Sequence, residues 1–151
     1  MNRAKLAITI ALLALVAATL VRIFIRQADP GLPPAPNPTD GLVVYCFHGD
    51  FHCATCDHIE QYTHKALVGK FVAWFERGKL FWKVVNVDQP ANAHFVQEYR
   101  VVSGAVVLAT FRGGREVRWR NLNEVWDLVH NEDEFVQYVQ VEIAHELEGL
   151  K

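Results

Sequence analysis

Residues 42–56 read LVVYCFHGDFHCATC, and the order of the elements can be worked out from this stretch. Its first six residues are apolar and strand-forming without clean alternation, which predicts a strand that is buried on both faces. The residues at 48–52 predict a turn. The pair Cys53 and Cys56 then opens a pattern with apolar residues on one face, which predicts an amphipathic helix.

Downstream of this helix, the periodicity predicts a β-α-β-β-α order. Three strands are predicted at 80–87, 105–111 and 116–119, and the last two are joined by the turn residues Gly113 and Gly114. Helical patterns cover 91–99, 123–129 and 132–148. A β-α-β unit followed by a helix and a hairpin indicates an α/β fold, with a central mixed sheet of about four strands flanked by helices.

Composition limits the classes of function. The 151 residues carry a formal net charge of −2, so there is no basic field to hold nucleic acid, and no nucleic-acid partner is expected. All three cysteines lie between positions 46 and 56. A disulfide-scaffolded protein would spread its cysteines along the chain, so this clustering indicates redox chemistry or metal binding.

The first 27 residues predict a single transmembrane helix that acts as a signal anchor. An almost unbroken apolar run extends from Leu6 to Val21 and resumes after Arg22. A helix from Leu6 to Ile25 would rise about 30 Å, which is close to the thickness of the bilayer core. A cleaved signal peptide is the alternative, because Arg3 and Lys5 give a basic start.

Residues 28–41 predict a proline-rich linker, because five of the six prolines in the chain fall within them. Residues 42–151 then form the folded domain. Basic residues lie on both sides of the predicted span, so the positive-inside rule favours neither orientation. We therefore adopt the usual orientation of a signal anchor. We expect a single-pass protein whose domain lies outside the cytoplasm, on the periplasmic or cell-surface side.

The position of the cysteine pair predicts its chemistry. A helix N-terminus carries unsatisfied N–H groups and a partial positive charge, both of which favour a thiolate at Cys53. Cys56 lies one helical turn later, so the two sulfurs can join in a small ring. We therefore predict catalytic roles for Cys53 as nucleophile and Cys56 as resolving thiol, with a cationic His52 lowering the pKa of Cys53. The alternative for His48 and His52 is that both are solvated residues of the turn.

Two other functions remain open at this point. A copper(I) or other metal site would use Cys46, His48, Cys53 and Cys56, with His52 nearby, although Cys46 also fits a small buried hydrophobe. A tethered adaptor without chemistry of its own would leave the acidic side chains of the last helix as a solvated face; these are Glu132, Asp133, Glu134, Glu142, Glu146 and Glu148.

The domain resembles the thioredoxin-like superfamily. The matching features are the strand before Cys53-x-x-Cys56, the run Val84 to Asp88, and the hairpin Phe111 to Gly114. It resembles the ArsF-type family more closely, which is described as a nitrophenyl compound nitroreductase subunit. That match is carried by residues 45–49, the cysteine motif with residues 59–63, the run 85–88 and the stretch 116–119.

The resemblance implies a thioredoxin-like fold and thiol–disulfide exchange with a protein partner or a reductase subunit. No cofactor is expected, because the sequence has no GxGxxG motif, so a role in nitro-group reduction would be to supply electrons to a partner. The sequence departs from the superfamily in one respect. The cis-proline that usually precedes the third strand is replaced by the stretch from Ser103 to Val106.

Overall fold

The structure is a computed structural model that describes residues 37–51, 53–101 and 104–150. They belong to one compact unit that begins at Asn37. The elements, in chain order, are β1 Gly41–His48, α1 Ala54–Lys70, α2 Val72–Glu76, β2 Leu80–Asn86, a 3₁₀ turn Pro90–Asn92, α3 His94–Glu98, β3 Ala105–Arg112, β4 Arg115–Asn121, α4 Val125–Leu128 and α5 Glu132–Glu148.

The four strands form one mixed sheet in the order β2-β1-β3-β4. β1 pairs in parallel with β2, from Leu42 opposite Leu80 to His48 opposite Asn86. β3 runs antiparallel to both β1 and β4. The predicted mixed α/β sheet of four strands with flanking helices is therefore confirmed.

The two faces of β1 lie in separate parts of the core, which explains its continuous apolar sequence. Val44 and Cys46 face the cluster that contains Ile59 of α1 and Ile143 of α5. The alternate residues face an aromatic cluster on the other side of the sheet; its rings are Tyr45, Phe47, Phe95, Tyr99 and Trp119.

The last helix packs against the sheet, and this corrects the expectation that all of its acidic residues are solvated. Glu146 is 4% exposed and accepts hydrogen bonds from the Arg118 guanidinium and, at 3.3 Å, from the Thr110 hydroxyl. Glu142 pairs with Arg120 of β4. The carboxylate of Glu146 was misjudged because its cation comes from a strand 28 residues earlier.

Two helices differ from the sequence prediction. The helical pattern after Cys56 continues through Phe75, but the structure ends α1 at Lys70 and starts the short α2 at Val72. Phe71 lies between them with a non-helical φ of −117°, and its ring is buried. The predicted helix at 91–99 is divided into the 3₁₀ turn Pro90–Asn92 and α3.

The predicted transmembrane helix at 1–27 and most of the predicted linker at 28–41 lie outside the described residues. Of the helices that the structure does describe, none combines the length and the apolar character of a membrane span. The end of the predicted linker contacts the domain: the Asp40 carboxylate accepts a hydrogen bond from Gly113 N–H, and the Thr39 carbonyl accepts one from Gly114 N–H.

Candidate active site

Cys53 is the N-cap residue of α1, directly before the first helical residue, Ala54. Its backbone is extended, and its sulfur accepts a hydrogen bond from the Cys56 backbone N–H, with an Sγ···N distance of 3.2 Å. Ser, Thr, Asp and Asn usually occupy this position, because an oxygen there accepts from the free N–H groups of the first turn. Here a sulfur takes that role, so the helix terminus acts on the reactive atom.

The two cysteines have pKa values that are shifted in opposite directions. The Cys56 side chain and the Cys56 backbone N–H both hydrogen bond to the Cys53 sulfur and lower the pKa of Cys53. Burial is the main factor that raises the pKa of Cys56, and the hydrogen bond to Cys53 raises it further. Of the two sulfurs, Cys53 is therefore the one that more readily exists as a thiolate, and Cys56 is the one that holds its proton more strongly.

Cys56 is 9% exposed and lies against Gly104, immediately before β3. A Cβ atom placed on Gly104 would lie 3.5 Å from the Cys56 sulfur. The backbone N–H of Gly104 donates a hydrogen bond to that sulfur, which partly opposes the rise in its pKa. Gly104 thus contributes an N–H donor and adds no side chain over the sulfur.

Cys46 lies in the core, 2% exposed, on the face of β1 that packs against α1. Burial raises the pKa of Cys46 to about 12, and the charges of Glu60 and Cys56 add to the effect. This thiol is neutral at physiological pH, which suits a small apolar core residue.

Two histidines, His48 and His52, lie beside the cysteine motif in the sequence. His48 Nδ1 lies 2.8 Å from the Gly49 carbonyl, and since a carbonyl only accepts, this nitrogen carries a proton. His52, the predicted partner of Cys53, lies outside the described residues. In the described part of the chain, no three His, Cys, Asp or Glu residues form a group that could hold a metal ion.

A polar cluster that the sequence analysis missed fixes the loop before Cys53. The Asp88 carboxylate accepts a hydrogen bond from Asp50 N–H at 2.7 Å, and the Asn86 amide donates to the Asp50 carboxylate, also at 2.7 Å. We call Asp50, Asn86 and Asp88 the loop clasp. The predicted order of the strands could have indicated this cluster. Neighbouring parallel strands end at the same edge of a sheet, so the residues that follow one strand lie close to those that follow the other.

Gly49 leaves room for the Asp88 carboxylate in the loop clasp. A Cβ atom on Gly49 would lie 2.7 Å from Asp88 Oδ2, which is closer than van der Waals contact allows. Val87 N–H also donates to the His48 carbonyl at 2.8 Å, so the ends of β1 and β2 stay joined beyond the sheet. His48 and Asp50, which precede Cys53, are therefore hydrogen-bonded to residues at the end of β2 and just after it.

No protein-family model matches the sequence, and no curated protein matches it. The solved structures that resemble the chain include the zinc-bound form of human ERp44, with 15% identity and a TM-score of 0.48. The match covers 70% of this chain but only 27% of the ERp44 chain. Thioredoxin from Thermus thermophilus is 20% identical, with a TM-score of 0.42, and the match covers 68% of this chain and 73% of that one.

A thioredoxin from Fasciola hepatica is 18% identical, with a TM-score of 0.39, and the match covers 84% of this chain and 93% of that one. The fold follows from the topology itself: a β-α-β unit, then a helix and a β-hairpin, around a sheet in the order β2-β1-β3-β4. By this topology, and by the place of the cysteine pair after β1, the described part of the chain has a thioredoxin-like fold.

Proposed function

We propose that this protein is a thiol–disulfide oxidoreductase that exchanges two electrons with a partner protein through Cys53 and Cys56. The observation that carries the proposal is the hydrogen bonding of the Cys53 sulfur, which accepts from the backbone N–H and from the side chain of Cys56. A partly exposed thiolate at a helix N-terminus is a nucleophile, and a more buried thiol within reach completes an exchange pair.

In the reducing direction, the Cys53 thiolate attacks one sulfur of the partner's disulfide. A mixed disulfide forms, and the other partner sulfur leaves as a thiolate. Cys56 then gives its proton to water or to the partner thiolate that has already left, and its sulfur attacks the Cys53 sulfur. This releases the second partner sulfur as a thiolate and leaves the Cys53–Cys56 disulfide. Two electrons pass from the cysteine pair to the partner, and the same steps in reverse oxidise a partner dithiol.

The purified full chain provides the test, in single-turnover reactions of the reduced protein with a disulfide-bonded peptide. We expect Cys53→Ser to abolish exchange and Cys56→Ser to accumulate the mixed disulfide, which mass spectrometry detects. Cys46→Ala is the matched control, because it removes a thiol that lies in the core, and it should retain exchange. Exchange at the wild-type rate in Cys53→Ser would refute the proposal.

A narrower part of the proposal is that the domain is tethered to a membrane outside the cytoplasm and supplies electrons to a reductase system. The apolar run from Leu6 to Ile25 and the following prolines support the tether, and the resemblance to the ArsF-type family supports the role as a subunit. Alkaline carbonate extraction of membranes, combined with protease accessibility from each side, tests the tether. Release of the intact chain by carbonate would argue against it.

A further inference from the structure

We propose that Phe51 is the side chain that binds an apolar residue of the partner next to its disulfide, and so determines which disulfides react with Cys53. This inference depends on the proposed function. Phe51 is 84% exposed, and it lies two residues before the nucleophile. An aromatic ring of this size is costly to leave in water, and aromatic side chains are enriched among the residues that dominate binding at protein interfaces.

Described residues on both sides of Phe51 in the chain are anchored. Asp50, the preceding residue, is held by the loop clasp through both its backbone N–H and its carboxylate. Asp88 is held in turn, since its backbone N–H donates to the Asn86 side chain at 2.9 Å. On the other side, Cys53 is fixed as the helix cap. Phe51 therefore stands between two anchored residues, which reduces the ordering cost of binding.

The spacing indicates where the complementary residue of the partner lies. Two residues of extended chain span at most about 7 Å, so Phe51 and the Cys53 sulfur can contact one short segment at the same time. The partner that fits is a protein segment with an apolar side chain within about two residues of its disulfide cysteine. A small disulfide without such a side chain would react with Cys53 alone.

The experiment compares three disulfides in single-turnover reactions with the reduced full chain. Two are peptides of equal length and charge that carry either Leu or Ser two residues from the cysteine, and the third is bis(2-hydroxyethyl) disulfide. We expect Phe51→Ala to slow the reaction with the Leu peptide about tenfold and to leave the other two rates unchanged. Phe51→Leu should retain most of the preference for the Leu peptide.

Two controls separate binding from changes at the thiolate. Val117→Ala removes a side chain that is 56% exposed on β4, near the strand end where Gly41 lies, and should change none of the three rates. The pH profile of Cys53 alkylation should be the same in Phe51→Ala and the wild type. Equal slowing of all three disulfides, or no slowing with the Leu peptide, would overturn the inference, whereas exchange that persists in Cys53→Ser would refute the proposed function instead.

Discussion

The sulfur of Cys53 accepts a hydrogen bond from the backbone N–H of Cys56, at a distance of 3.2 Å, and thereby caps the helix that carries both cysteines. Local chain geometry makes this contact, since the donor and the acceptor are one helical turn apart. The sulfur of Cys53 therefore accepts from a group that only a proline at position 56 would remove. The Cys56 side chain adds a second hydrogen bond, whose contribution can be measured separately.

The first prediction concerns the pH dependence of Cys53. Because its pKa is lowered, the thiolate persists to lower pH than in a free cysteine, and the alkylation rate should reach half its maximum below pH 8.5. Cys56→Ala removes the thiol donor and should move this midpoint upward, whereas Cys56→Ser keeps a donor and should move it less. Iodoacetamide labelling followed by mass spectrometry gives the profile. A midpoint that is identical in all three proteins would contradict a contribution from the Cys56 side chain.

The second prediction is that Cys46 resists alkylation in the folded protein. Its pKa of about 12 and its burial leave almost no thiolate at pH 8, and the reagent has no access to the sulfur. We expect labelling at pH 8 to modify Cys53 much faster than Cys46, and denaturant to remove the difference. If Cys46 is modified as fast as Cys53 without denaturant, its placement in the core is wrong.

The third prediction concerns Gly104, whose added Cβ would contact the Cys56 sulfur at 3.5 Å. Gly104→Ala should fold normally, because this distance is ordinary van der Waals contact. The methyl group would desolvate Cys56 further and raise its pKa, so we expect the mixed disulfide to resolve several-fold more slowly while its formation by Cys53 is unchanged. Quenched-flow measurements with a peptide disulfide resolve the two steps.

Gly69→Ala is the matched control for Gly104→Ala. This glycine lies in α1, and its added Cβ would meet Gln140 Nε2 at 3.5 Å. Both steps of exchange should keep their wild-type rates in Gly69→Ala. The account of Gly104 fails if its variant and the control release the partner equally fast.

The fourth prediction concerns the buried carboxylate of Glu146. Arg118→Ala removes its cationic partner and leaves a charged group with 4% exposure bound mainly by Thr110, so we expect a loss of about 2–3 kcal/mol in the free energy of unfolding. Urea denaturation monitored by circular dichroism measures the loss. Lys65→Ala breaks an exposed ion pair with Glu132, and it should lower the free energy of unfolding much less than Arg118→Ala does. Equal losses in the two variants would show that the burial of Glu146 has no energetic effect.

Much of the fold could be predicted from the sequence, because its elements have clear periodicity. The final helix has the predicted bounds, 132–148, and the strand before the cysteines differs by one residue at each end. The N-terminal position of Cys53 on its helix was predictable as well, since a turn and an amphipathic pattern meet there. These features depend on residues that are close together in the chain.

The features that were missed depend on contacts between distant residues. The hydrogen bond between Asp50 and Asp88 spans 38 residues, and the pairing of Thr110 with Glu146 spans 36. The break at Phe71 has the same origin. The apolar side chain of Phe71 fits the helical pattern, but α1 ends at Lys70. The ring of Phe71 is buried in the core cluster that also contains residues of the sheet and of α5. Local patterning does not reveal which polar groups the sheet will bring together.

The length of β1 determines how far the binding site of a partner lies from the start of the sheet. The chain enters the sheet at Gly41 and leaves it at His48, so the seven steps of β1 separate the entry point from the end that precedes the nucleophile by roughly 23 Å. A partner that binds at Cys53 therefore docks at the opposite end of β1 from Gly41, where the chain enters the sheet.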